Sequence, residues 1–328
     1  MGSRRGSIFK KCGITFPLNM DDFQLSHGIE SEKKLKKFFP EVCEEVKGIT
    51  DTLNIDYLRF ISWLLAMGCC MYNLETNIPE VRGCTAFAVR YHNHVYYGRN
   101  NDLPPFLKDG SKSEIYRPLN VNTFNIMTSS FINGEEGLNK KGMAVAMTFV
   151  ATALEDIRPG FNAVFIVRYL LEKAGSTKET LRLLSDLPVS SNCNILLADK
   201  KGDMVVAECT GTLKKIQEPV TINKDLKVIC TTNCFVSDDM KQFEREDETY
   251  KSLERYNTVI NAFRDYSGKD MINYIEEILK GNHGFMCQYE KGLNFETIWS
   301  SAFDLDTLDI YRAEGDPRRK KYILDERL

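Results

Sequence analysis

Residues 82–105 read RGCTAFAVRYHNHVYYGRNNDLPP. Two alternating stretches, TAFAVRY (85–91) and HVYYGR (94–99), flank the pair His92-Asn93, which is the pattern of an antiparallel hairpin with a short turn. A hairpin by itself needs neither a small nucleophile where its first strand starts nor an Arg and a carboxylate where its second strand ends. Here the first strand opens on Gly83-Cys84-Thr85, and the second runs out through Gly98-Arg99-Asn100-Asn101-Asp102. In an antiparallel pair the end of one strand lies beside the start of the other. Arg99 and Asp102 are therefore expected to be neighbours of Cys84 despite their distance in sequence.

Outward from this hairpin the texture stays mixed. FNIMTSSFI (124–132) and MAVAMTFVA (143–151) read as strands joined by the turn-rich NGEEGLNKKG. Helices follow over 161–174 and over STKETLRLLSDL, where Ser176 and Glu179 have capping-box spacing. CNILLAD and MVVAECT form a hairpin through KKGD, and 226–235 reads as a strand with Asn233 inside it. Helices resume over about 238–280, and TIWSSAFDLDTLDIYRA closes the chain with two strands. Antiparallel strands alternating with helix pairs predict an α+β layered sandwich, not a doubly wound parallel sheet. Residues 1–80 are mainly helical by pattern, with Pro40 as an interruption and 75–83 as a loop. Their most apolar run, FISWLLAMGCCMY (60–72), is too short to span a bilayer and reads as a buried helix. No linker or internal repeat marks a second globular domain.

Several chemistries are disfavoured at once. A net charge of −3 over 328 residues calls for neither nucleic acid nor an acidic membrane surface. There is no G-x-G-x-x-G after a strand, no P-loop, no H-E-x-x-H and no G-x-S-x-G, so no cofactor or metal is expected. His92 and His94 can share a strand face, but no third ligand stands near them. Ten cysteines without a secretory leader point to free thiols in a reducing, cytoplasmic setting.

A cysteine nucleophile needs a base, and none of the four histidines is singled out. One solution is to cut the chain just before the nucleophile and use its own α-amine, whose ordinary pKa of about 7.7–8.0 suits proton transfer near neutrality. Such a chain wants a small residue before the nucleophile, a carboxylate to orient the amine and a cation to favour the thiolate. Gly83, Asp102 and Arg99 supply those parts around Cys84.

With these residues in view, GCTAFAV and YYGRNND resemble the opening segment of the choloylglycine hydrolase and penicillin acyltransferase group. These are linear-amide C–N hydrolases of the N-terminal-nucleophile (Ntn) class. The likeness continues in order through GLNKKGMAVA (137–146), CNILLADKKGDMVVAE (193–208), VICTTNCF (228–235), YKSLERYNTV (250–259) and TIWSSAFDLDTLDIY (297–311). It implies a four-layer αββα sandwich of two antiparallel sheets, preceded by a helical segment. Residues 1–83 would be a pro-segment or α chain packed on the core, and 84–328 the catalytic β chain. It also implies roles: Cys84 as nucleophile, Arg99 beside the thiolate, Asp102 on the amine, Asn139 and Asn233 near the oxyanion, and Arg255 completing the polar cluster. Bile-salt hydrolases of the group carry the cysteine right after the initiator Met. The segment before Cys84 here matches instead the acyltransferase branch, whose precursor cuts itself at Gly-Cys into two chains.

The expected partners are a small-molecule N-acyl amide and the two fragments of one precursor. Phe87, Tyr96 and Phe106 are candidates for an apolar acyl pocket, or ordinary core. Three functions remain open: amide hydrolysis, acyl transfer to an amine acceptor through the same acyl-enzyme, and a catalytically silent member acting as a binding module.

Overall fold

The structure is a computed structural model. It describes residues 1–328 apart from 15, 17, 67–82, 130, 246–250, 269, 287–288 and 291–294. The chain starts with four helices: α1 (Gly2–Lys11), α2 (Asp22–Phe38), α3 (Pro40–Leu53) and α4 (Tyr57–Ala66). As expected, the helical run is interrupted at Pro40: α2 ends at Phe38, Phe39 leaves the helical conformation, and Pro40 begins the next helix. It occupies the first turn of α3, where its missing N–H has no partner to lose. The end of the apolar run 60–72 and the expected loop over 75–82 fall outside the described residues.

The hairpin is β1 (Gly83–Tyr91) and β2 (His94–Leu103). Tyr91 pairs with His94, and the register carries back to Cys84 opposite Asn101 and Gly83 opposite Asp102. His92 takes the turn with a left-handed φ of 53°. Next come β3 (Lys112–Tyr116), β4 (Phe124–Thr128), β5 (Glu136–Asn139) and β6 (Met143–Phe149). Two expectations change here. The strand expected over 124–132 stops at Thr128, and the stretch taken as a turn contains β5, which pairs with β4 and β6. β5 is buried along its whole length, so its sequence has no polar-apolar alternation to reveal it. Its Gly137 fits where a side chain cannot: a Cβ there would meet Asn125 O at 2.4 Å and Leu171 Cδ1 at 2.5 Å.

α5 (Ala163–Lys173) and α6 (Thr177–Asp186) follow. Ser176 Oγ accepts from the Glu179 N–H, but the Glu179 carboxylate accepts from Gly175 N–H, so the expected capping box closes one residue early. Then come β7 (Cys193–Asp199), β8 (Met204–Cys209), β9 (Lys214–Gln217), β10 (Val220–Thr221) and β11 (Leu226–Thr231). The strand ends at Thr231, so Asn233 lies beyond it. There the chain leaves the ladder for the start of the next helix pair: Asn233 N–H donates to Ser252 Oγ, and Thr232 Oγ1 to Ser252 O. α7 (Asp238–Lys241), α8 (Ser252–Arg264) and α9 (Met271–Leu279) precede β12 (Tyr289–Glu290), β13 (Phe295–Asp304), β14 (Asp309–Glu314) and β15 (Ile323–Leu324).

Among the described residues the strands form two antiparallel sheets. One runs β10-β11-β1-β2-β13-β14-β15, with β12 pairing β13, and the other runs β3-β4-β5-β6-β7-β8-β9. Alternation along β1 explains the layering. Ala86 and Ala88 face the second sheet and meet Leu138, Ala144, Ala146, Leu196 and Ala198, small side chains that let the sheets approach. Phe87 and Val89 face the other way, into a core with Val259, Phe263, Ile275 and Ile278 of α8 and α9. α5 covers the outer face of the second sheet, with Phe165, Leu170 and Leu171 against Val145, Ile195 and Leu197. The result is the expected four-layer αββα sandwich. Val42, Val46, Phe60 and Leu64 of the N-terminal helices join that outer core. No helix among the described residues is long and apolar enough to cross a membrane.

Candidate active site

Cys84 is the second residue of β1, and strand alternation decides what surrounds it. Its thiol lies on the inter-sheet side with Asn101 opposite and Arg99 two residues along β2. Gly83 and Asp102 form the next pair, on the helix side. The Cys84 backbone nitrogen therefore stands between the thiol on one face and the carboxylate on the other.

The polar groups converge on this point. Cys84 N–H donates to Asn233 Oδ1 at 2.6 Å. Arg255 of α8 donates to Cys84 O at 2.5 Å, to Thr85 Oγ1 at 2.9 Å and to Asn233 Oδ1 at 3.0 Å. Cys84 Sγ donates to Asn101 Oδ1 at 3.2 Å, and Arg99 Nη2 donates to the same oxygen at 2.9 Å. The other Arg99 terminal nitrogen, Nη1, bonds Met147 O across the sheet interface. Asp102 Oδ1 accepts from Thr297 Oγ1 at 2.5 Å, and its Oδ2 has no hydrogen-bond partner among the described residues.

Burial sets the electrostatics. It pushes the Cys84 thiol up; Arg99 and Arg255 pull it back, while Asp102 and Glu135 add to the rise. Burial likewise pushes Asp102 up to about 6, against the pull of Arg255, the Thr297 hydroxyl and Arg99. Arg255 is lowered by burial, with Asp102 opposing most strongly. The site is thus a buried thiol and a fully buried carboxyl flanking one peptide bond, with two guanidinium groups offsetting their charge.

Of the residues singled out in the sequence, the structure brings together Gly83, Cys84, Arg99, Asp102, Asn233 and Arg255. It does not bring Asn139 to them. Asn139 Nδ2 donates to Leu171 O and Ala174 O at the end of α5, and Oδ1 accepts from Lys141 and Met143 N–H. No hydrogen bond among the described residues links it to Cys84 or Asn233. The three aromatics are also apart. Phe87 packs against Phe263 on the face opposite the thiol. Tyr96 is five residues from Asn101, about 16 Å along β2. Phe106 is 55% exposed in the turn after that strand. His92 and His94 pair with Asp225 and Asp306 at the hairpin tip.

Three contacts went unread in the sequence: Asn101, Thr297 and Ser252. Asn101 had a signal: with Tyr91 opposite His94, counting back through the hairpin places it opposite Cys84. Thr297 and Ser252 had none, since each arrives from a different element.

The family model for acyl-coenzyme A:6-aminopenicillanic acid acyl-transferase matches residues 89–319. No curated protein sequence matches this chain. Among solved structures, the Caenorhabditis elegans ortholog of N-acylethanolamine-hydrolyzing acid amidase is 16% identical, over 68% of this chain and 93% of that one, with a TM-score of 0.51. A variant of conjugated bile acid hydrolase from Clostridium perfringens is 15% identical, over 74% and 92%, with a TM-score of 0.51. Likeness at such identities concerns the fold, and it agrees with the layered sandwich described above.

Proposed function

This chain belongs to the acyl-coenzyme A:6-aminopenicillanic acid acyl-transferase family, and from that premise we propose that it is a self-processing cysteine amidase, with Cys84 as its nucleophile. The reading rests above all on the Gly83–Cys84 peptide bond. Its N–H is held by Asn233, the following carbonyl by Arg255, and Asp102 presents beside Gly83 a carboxylate oxygen that has no hydrogen-bond partner among the described residues.

In the uncut chain, Cys84 Sγ attacks the Gly83 carbonyl carbon. A C–S bond forms, the C–N bond breaks, and the departing nitrogen takes up the thiol proton. Asp102 Oδ2, near neutrality because of burial, is placed to carry it. Water then hydrolyses the thioester, leaving residues 1–83 with a new carboxyl terminus and Cys84 with a free α-amine. In turnover that amine takes the thiol proton, and the thiolate attacks the acyl carbon of an N-acyl substrate. The tetrahedral intermediate collapses with loss of the amine product, which takes the proton back from the α-ammonium. Water, deprotonated by the same α-amine, releases the acid and restores the thiol. Asp102 orients the amine, and Arg99 and Arg255 favour the anionic states.

The family description favours a second outcome of the same acyl-enzyme, in which an amine displaces the thioester in place of water. Residues 1–83, through the packed helices α1–α4, act in either case as the partner of the catalytic part.

Intact-mass measurement of purified protein tests the first step. Two fragments split between Gly83 and Cys84, absent in Cys84→Ala, are expected. A single uncut chain whose Cys84 does not react with iodoacetamide would sink the reading. Incubation of the processed protein with a panel of N-acyl amides, with and without added amine acceptors, then separates hydrolysis from transfer.

A further inference from the structure

We propose that Asn101 is a further catalytic residue of this site, donating its side-chain N–H to the oxygen of the acyl group that Cys84 attacks. The proposal rests on the reading of Cys84 as the acyl-accepting nucleophile.

Asn101 stands directly across the β1–β2 pair from Cys84 and is fully buried. Its amide oxygen is doubly engaged, by Cys84 Sγ at 3.2 Å and Arg99 Nη2 at 2.9 Å. Its Nδ2 has no hydrogen-bond partner among the described residues. A buried N–H without an acceptor carries a desolvation cost that structures normally avoid.

The neighbouring amides are different. Asn100 Nδ2 donates to Leu279 O, Asn233 Nδ2 to Phe149 O, and both Asn139 N–H bonds go to α5 carbonyls. Rotating the Asn101 amide to relieve its nitrogen would set two donors, its own N–H and that of Arg99, against each other. Arg99 thereby fixes which atom of the amide faces where, and the nitrogen, one carbon away from the oxygen that touches Sγ, is left for a ligand.

The ligand this suits is a carbonyl oxygen bonded to the carbon that Sγ attacks. As the C–S bond forms, the C=O π pair moves onto oxygen, and Nδ2–H donates to that oxyanion. On collapse the C=O bond re-forms, the C–N bond breaks, and the leaving nitrogen takes its proton from the Cys84 α-ammonium. The role that family resemblance placed on Asn139, whose donors are engaged elsewhere, would then fall to a residue directly beside the nucleophile.

The test compares two reactions of processed protein. Acylation by p-nitrophenyl butyrate passes through an oxyanion; alkylation by iodoacetamide uses the thiolate but forms none. Asn101→Asp keeps an acceptor for Arg99 and removes the N–H, whereas Asn101→Leu removes both. Each variant is expected to lose roughly 10²-fold in acylation relative to alkylation, the usual scale for one oxyanion donor. Measuring alkylation across pH removes any change in thiol ionisation from the ratio. Folding is checked by circular dichroism. A folded variant that stays uncut but is still alkylated also supports the proposal, because processing passes through an oxyanion on Gly83. A ratio within about threefold of wild type in either folded variant, or equal loss of both reactions, overturns it. If wild type is cleaved and acylated while the ratio is unchanged, only this inference fails. If wild type is neither cleaved nor alkylated, the parent reading fails with it.

Discussion

Asp102 lies so close to Gly83 across the β1–β2 pair that a methyl group on Gly83 would meet Asp102 Oδ2 at 2.9 Å and Asp102 Cβ at 3.0 Å. Phe295 closes the same space from β13, at 3.0 Å. Gly83 is absent from the positive-φ glycines, so the demand is for room and not for backbone freedom. Gly83→Val should therefore push the carboxylate off the scissile bond and slow cleavage by roughly tenfold or more, followed by intact mass against time. Cleavage at the wild-type rate would show that Asp102 has no part in processing.

The Asp102 carboxyl, raised to about 6 from an ordinary 3.8, makes two pH predictions. Its burial is most favourable when it is protonated. The stability it contributes is complete below about 3.8 and is lost as pH rises through about 6, on the order of 3 kcal/mol in all. In a Cys84→Ala background, which stays uncut, urea unfolding from pH 4 to 7 should lose that much more stability with Asp102 than with Asp102→Asn. Processing, if Asp102 carries the proton, should rise through a midpoint near 6 and then level off.

Arg255 is the cation that most lowers Asp102, and it also holds Cys84 O and Asn233 Oδ1. Arg255→Met should move the processing midpoint above 6 and cost about 3–5 kcal/mol, because the partners it leaves behind stay buried. The midpoint separates this electrostatic effect from simple loss of packing, which would lower the rate at every pH without shifting it.

Glu45 of α3 accepts from Arg168 Nη2 of α5 at 2.5 Å, both side chains being 5% exposed. Arg5 of α1 approaches the same carboxylate. Together with the shared apolar core, this tie should keep the fragment ending at Gly83 bound after cleavage. Size-exclusion chromatography should show the fragments co-eluting. Glu45→Leu should destabilise the assembly by about 1–3 kcal/mol, because Arg168 loses its shortest carboxylate contact while keeping Ile132 O and the longer contact to Glu172.

Asn139 offers a control. Its amide joins β5 to the end of α5 by two carbonyl contacts. Asn139→Ala should lower the melting temperature, by an amount corresponding to about 1–3 kcal/mol, while acylation and alkylation of the folded protein keep their wild-type ratio. A selective loss of acylation would return Asn139 to the oxyanion.

Local rules made much of this molecule readable. Strand alternation and a two-residue turn place Arg99, Asp102 and Asn101 around Cys84 by counting along a single hairpin. What hid β5 was its complete burial, which erases alternation, and its glycine, which reads as a turn. Asn139 misled for a related reason. An asparagine in a glycine-rich segment looks the same whether its amide faces a substrate or caps a neighbouring helix.

The sequence by itself determined the hairpin, the layered class and the thiol at the start of β1, because each follows from interactions between residues near in the chain or from a repeating period. Only the tertiary structure decided what completes the site. Asn233 and Arg255 reach Cys84 across 149 and 171 residues. Thr297 reaches Asp102 across 195. Those contacts depend on where packed layers bring separate elements to rest, and the direction of a buried amide is settled by the donors and acceptors it finds there.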